Sequence, residues 1–165
     1  MVIRSLNTLV RGLVLAIIFL LLLHNTTYAI NYNDFNQNVK NYNQNLSIID
    51  KNGSELVKYK VAVAKNQEEK SYGLMNLRYL SNEKGMLFLF KKHAIINMWM
   101  KNTLIPLDMI FIKDNEIVWI VENTTPLSLK YISSKFEIDK VLEVNAGEVE
   151  KRGIEVGHTM SLRAL

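Results

Sequence analysis

LSIIDKNGSELVKYKVAVA, residues 46–64, decides the class of fold. The runs Leu46 to Asp50 and Glu55 to Ala64 flank Lys51-Asn52-Gly53. Asn-Gly between two apolar runs is a strong hairpin signal, because the tight turn needs residues that tolerate positive φ. Within the second run Tyr59, Val61 and Val63 alternate with Lys58, Lys60 and Ala62, the period of a strand with one buried face.

Working toward the C-terminus, Asn66 can cap a short helix over Gln67 to about Met75, with Glu68 and Glu69 in the first turn where the helix dipole favours acids. Strand-like runs follow at Met86 to Phe90, Ile96 to Lys101, Asp108 to Lys113, Glu116 to Glu122 and Lys140 to Asn145, with Asp114-Asn115 as a tight connection. A second helix is expected over Glu148 to Arg152, stopped by Gly153, before a closing strand at Thr159 to Arg163. The pattern predicts a mostly β domain with two short helices, α+β at the margin. Its seven or eight strands should curl into a compact single-domain barrel or sandwich, since open sheet edges are a hazard.

Working toward the N-terminus, residues 31–45 contain seven asparagines and scattered aromatics without helical or strand period. They read as a spacer, placed at 30–45, before a domain at 46–165. Ahead of it stand Arg4 and Arg11, the apolar run Leu13 to Leu23, and a polar stretch ending at Ala29. That order of positive, apolar and small-residue zones predicts a secretory signal over residues 1–29 and a periplasmic product. The eleven-residue run falls short of the roughly 20 residues a spanning helix needs. The alternative is an inner-membrane anchor over residues 12–24, and the membrane is expected as a partner only through this segment.

Loss of residues 1–29 removes Arg4 and Arg11 and no acid, so the formal charge falls from +4 to +2. Such a balance gives no support for a nucleic-acid partner, which calls for a concentrated basic stripe. The chain has no cysteine, which excludes thiol catalysis and Cys-ligated metals. Nucleophile elbows, phosphate loops and zinc-protease motifs are also missing from the sequence.

The chemistry-bearing residues concentrate in Asn97 to Asp108, NMWMKNTLIPLD. On a strand, Ile96, Met98 and Met100 would share one face and Asn97, Trp99 and Lys101 the other. The second face, a large aromatic beside an amide and an ammonium, could stack and orient a sugar or other polar ring. A Trp capping a barrel end under a lysine stem is the structural alternative. Pro106 should turn the chain and bring Asp108 back beside Lys101. Asp108 is then an acid, a base or a ligand clamp, or else an acceptor for N–H groups of the preceding turn.

Glu143 interrupts the apolar run Val141 to Val144 and should be paired, with Lys101 or Arg78 supplying the charge. An acid-base pair of Glu143 and Asp108 would need glycosidase-like spacing. Met98 and Met100, with Met75, Met86, His93 and His158, offer soft ligands for monovalent copper, although the alternation turns both central methionines toward the core. His93 and His158 read as surface histidines. No cofactor or metal is expected on the preferred reading.

The blocks VAVA, GLM at Gly73 to Met75, GMLFLF at Gly85 to Phe90, MWMKNTLIPLDMIFI at Met98 to Ile112, TPLS at Thr125 to Ser128 and VLEVNAG at Val141 to Gly147 resemble the domain of unknown function 192 family. The likeness runs from about Tyr59 to Leu162. It implies a compact β-rich fold in a small exported or membrane-associated protein, and it places Trp99 to Asp108 and Glu143 in the family signature. Two positions depart from the family pattern: Leu77 stands where the family has arginine, with Arg78 next to it, and Gly157-His158 stands where it has Gly-Asp.

The expected function is a non-catalytic ligand-binding or envelope-associated exported domain. Trp99, Lys101, Asn102, Thr103 and Asp108 would line the site, Glu143 and Arg78 would support it, and a small polar ligand or envelope glycan would occupy it. The alternatives are a hydrolase of cell-envelope glycan using Asp108 and Glu143, and a periplasmic copper-binding protein.

Overall fold

The computed structural model describes residues 14–22 and 41–164. Residues 14–22 form a short helix, α1, with exposed side chains throughout. No helix among the described residues is long and apolar enough to cross a membrane. The Ala29 cleavage point and most of the 30–45 spacer lie outside the described residues. The N-terminal segment and the domain are separate units.

The domain runs β1 (Gln44–Ile49), β2 (Glu55–Ala64), α2 (Gln67–Tyr72), β3 (Lys84–Met98), β4 (Leu107–Lys113), β5 (Glu116–Val121), β6 (Ile132–Asn145), α3 (Glu148–Arg152) and β7 (Thr159–Ala164). The hairpin expected from residues 46–64 is present as the antiparallel β1–β2 pair. Its turn is wider than a two-residue Asn-Gly turn. Asp50 Oδ1 accepts from the N–H groups of Asn52 and Ser54, both at 2.8 Å, and Gly53 takes φ 86°, so five residues are organised around one carboxylate.

The strands pair in the order β1-β2-β3-β6-β4-β5-β7, and β7 returns to β1 to close the barrel. Every pair is antiparallel except β2–β3. A parallel pair needs a crossover, and α2 lies on it. Asn66 and Glu69 close a capping box at the start of α2, and Gly73, at φ 49°, ends it earlier than the expected Met75.

Two expected strands, Met86 to Phe90 and Ile96 to Lys101, are parts of the single strand β3. Its ladder to β6 breaks between Leu89 and Ala94, so Lys91-Lys92-His93 is an exposed irregularity within the strand, and His93 is at the surface as expected. Strand β6 begins at Ile132 rather than Lys140. Its first half, ISSKFEID, is largely exposed and polar and therefore carries no run of apolar residues to mark it.

Alternation divides the sheet into two buried faces. The barrel interior gathers Leu46, Ile48, Tyr59, Val61, Leu87, Ile110, Ile112, Leu142 and Val144. The opposite face of β3, β6 and β4 buries Met86, Phe88, Met109, Phe111 and Val141. Each such side chain contributes roughly 1.5–3 kcal/mol by leaving water. Leu74, Met98 and Thr103 meet this second face at Phe88 and Glu143.

Candidate binding groove

Strand β3 stops at Met98, so Trp99 and Lys101 occupy a loop rather than a strand. That loop is tied on two sides. Asn76 N–H donates to the Asn102 carbonyl at 2.7 Å, and Leu127 N–H donates to the Thr103 carbonyl at 3.0 Å. Asn102 turns through φ 55° and its amide approaches Met75 Sδ at 3.9 Å. Gly73-Leu74-Met75 and Trp99 to Thr103, far apart in sequence, are thereby held face to face.

A groove of about 230 Å³ opens along α2 and both halves of β3. Phe88, Phe90, Trp99 and Tyr131 give it aromatic walls, and Gln67, Lys70, Ser71 and Asn97 supply polar groups. The rings of Trp99 and Tyr131 lie 6.2 Å apart and 17° from parallel. Lys101 Nζ rests 5.1 Å from the Trp99 ring centre and Lys70 Nζ 4.9 Å from that of Phe90, so each ammonium covers one aromatic face. Lys70 is anchored further by donating to the Leu89 carbonyl at 3.0 Å.

Beside the groove, sharing Lys70, Ser71, Phe88, Met98 and Trp99 with it, lies a cavity of about 20 Å³ bounded also by Gly73, Leu74, Met75, Lys101, Thr103 and Glu143. The Glu143 residue is 4% exposed, and burial pushes its carboxyl up to about 8. Neither Lys101 nor Arg78 forms an ion pair with it among the described residues. Arg78 is exposed, and residues 77–78 lie beyond α2, so the expected support from Arg78 is corrected.

Asp108 does not belong to this groove. Strand β6 separates β3 from β4, so Pro106 does not return Asp108 to the side of Lys101. Asp108 pairs with Val144 and Met109 with Glu143. Neighbours along a strand alternate in direction, so the two carboxylates point to opposite faces of the sheet. Asp108 Oδ1 accepts from Asn123 N–H at 2.9 Å and Oδ2 from Val149 N–H at 3.0 Å. It thus caps backbone of β5's exit and of α3, rather than the preceding turn. Beside it the Tyr59 hydroxyl donates to Glu148 Oε2 at 3.4 Å, and Glu148 also holds Lys151 and Arg152. The Tyr59 phenol is raised, first by burial and then by the Glu148 charge.

Of the residues singled out in the sequence, Trp99, Lys101, Thr103 and Glu143 therefore converge, Asn102 braces their loop, and Asp108 and Arg78 stand elsewhere. The acid-base pairing of Asp108 with Glu143 is overturned by the alternation of β4 and β6. The copper alternative falls with the burial of Met98 at 8% and Met100 at 0% exposure, and Met100 Sδ already accepts from the Thr124 hydroxyl. His158 is buried, not surface, and its Nδ1 accepts from Glu155 N–H.

His93 gathers with Asp114 and Asp139 on the exposed side of the β3 irregularity. Asp139 there is engaged by the Lys140 ammonium and the Asp114 N–H, so the cluster is a charge network joining β3, β6 and the β4–β5 turn. Sequence reasoning missed Gln67, Lys70, Ser71 and Tyr131. Only α2's polar face and the aromatic at residue 131 carried any signal of them.

A closed seven-stranded β domain with an aromatic-walled groove, and with no facing carboxylate pair in it among the described residues, is the class that fold and site define. The chain belongs to the DUF192 family, described as Uncharacterized ACR, whose pattern matches residues 48–162. No curated protein matches it. The solved structures it is similar to include the following two. A candidate transcription regulator from Sinorhizobium meliloti 1021 is 36% identical with a TM-score of 0.69, over 72% of this chain and 92% of that one. A protein of unknown function from Novosphingobium aromaticivorans DSM 12444 is 29% identical with a TM-score of 0.67, over 71% and 83%.

Proposed function

We propose that this is an exported, non-catalytic binding domain whose groove takes one ring of a small polar ligand, with envelope glycan as the ligand class. The observation that carries the reading is the near-parallel Trp99–Tyr131 pair lining a groove that also presents the amides of Gln67 and Asn97. A pyranose ring has an apolar face that stacks on an aromatic and a rim of hydroxyls that side-chain amides and ammoniums can bind. The groove volume, about 230 Å³, is below the roughly 300–1,000 Å³ of drug-sized sites, which suits a single ring. Export rests on the order of charged, apolar and small residues before Ala29.

Calorimetric titration of the mature chain with the N-acetylglucosamine disaccharide tests it. The expected result is saturable binding that Trp99→Ala weakens at least about tenfold, the scale of one lost stacking contact of about 1.4 kcal/mol. Equal binding by the Trp99→Ala chain, or none by the unaltered one, overturns the reading.

A further inference from the structure

Among the described residues, Glu143 is the buried carboxyl that lines the small cavity beside the groove. Phe88, Met98, Trp99, Lys70 and Ser71 line both the wide groove and the small cavity over Glu143. A ligand ring on Trp99 therefore lies next to the space over that carboxyl. The opening of about 20 Å³ is just above the roughly 10–15 Å³ that a single water needs.

We propose that the narrow cavity over Glu143 is the inner recognition subsite of the groove, taking one uncharged oxygen substituent of the ligand, a hydroxyl or carbonyl, by hydrogen bonding to the Glu143 carboxyl. This rests on the ring-binding reading of the groove and adds which part of the ligand is selected. Size excludes anything much larger than one heavy atom with its hydrogens. Charge argues against a cation, since the flexible ammoniums of Lys70 and Lys101 already border the space. The burial that keeps Glu143 protonated also disfavours an anionic substituent in the same space.

The other groups facing Glu143 leave its protonation to burial. From α2 come Lys70, Ser71 and Tyr72, and from the loop Lys101 and Thr103, while β3 presents Phe88 and Met98 and β4 presents Met109 across the ladder. Burial alone raises the carboxyl, to about 8. At neutral pH it is then the acid form, whose O–H donates to the ligand oxygen while its carbonyl oxygen accepts from a hydroxyl.

The experiment is the pH profile of disaccharide binding to the unaltered mature chain between pH 6 and 9.5, with Glu143→Gln beside it. Affinity is expected to be flat up to about pH 7 and to fall toward tenfold per pH unit above about 8. Glu143→Gln, which retains a donor and an acceptor but cannot ionise, is expected to bind with a flat profile. Carbon-13 NMR of the Glu143 carboxyl in the unliganded chain should show it protonated at pH 7. Binding that stays level to pH 9.5 while Trp99→Ala still weakens it overturns the subsite and leaves the groove reading intact. A carboxyl found ionised at pH 7 also overturns it. Absence of binding at every pH overturns both. The unaltered chain alone decides these outcomes, whether or not the Gln variant folds.

Discussion

Asp108 and Glu143 are both buried carboxyl residues on adjacent strands, and they play opposite parts. Two backbone N–H donors meet Asp108, one to each oxygen. Among the described residues no such backbone pair meets Glu143, and burial pushes its carboxyl up to about 8, so that it holds its proton. Sequence could identify both as acids inside apolar strands, but the face each one takes depends on cross-strand register, which is a long-range property.

The Glu143 proton also makes stability depend on pH. Its unfolded carboxyl titrates near 4.3 and the folded one near 8, so the native state binds more protons between these values. Stability is greatest below the unfolded value, declines as pH rises through that window and levels off above the folded value. The loss by pH 7 is roughly 3–4 kcal/mol. Glu143→Gln should remove most of this slope and raise the melting temperature at pH 7 by several degrees, while changing it little at pH 4. Thermal denaturation across pH 4 to 9 measures it, and parallel slopes for the two proteins would refute the assignment.

At the level of elements, local signals were legible and their lengths were not. The Asn-Gly turn, the Asn66 cap and Gly153 after α3 are written in a few adjacent residues each, and all three appear where expected. The join of two runs into β3, and the early start of β6, escaped because the joining residues are polar and half in water. Gly85 shows how tightly these strands are set. A Cβ there would lie 2.8 Å from the Glu143 carbonyl oxygen and 3.1 Å from Val144 Cγ1. Gly85→Ala should destabilise the domain by about 1–3 kcal/mol, the range for overpacking a rigid neighbour. Urea unfolding reads this as a lower midpoint, and an unchanged midpoint would mean that β6 yields freely at Glu143.

For the whole molecule, a β-rich closed domain was legible from strand count and edge protection, and so was the family. The strand order β3-β6-β4 was not, because the pattern of each strand says which face is buried without naming its neighbours. That order separated the expected Asp108–Lys101 pair and brought Gly73 to Met75, Trp99 to Thr103 and Glu143 together. Four of the expected residues thus remained in a site whose shape came from α2 and Tyr131. The same closure leaves the groove on the outside of the barrel, where a ring can enter without opening the core.

The central claim is that a sugar ring lies on Trp99 with one oxygen directed into the cavity over Glu143. The most direct measurement is a crystal structure of the mature chain soaked with the N-acetylglucosamine disaccharide at pH 6.5. The account predicts a ring stacked on Trp99 and Tyr131, within reach of Asn97 and Gln67, with a hydroxyl or carbonyl oxygen at hydrogen-bond distance from the Glu143 carboxyl. A saccharide seated on another surface, with the Trp99 groove holding only water, would contradict it.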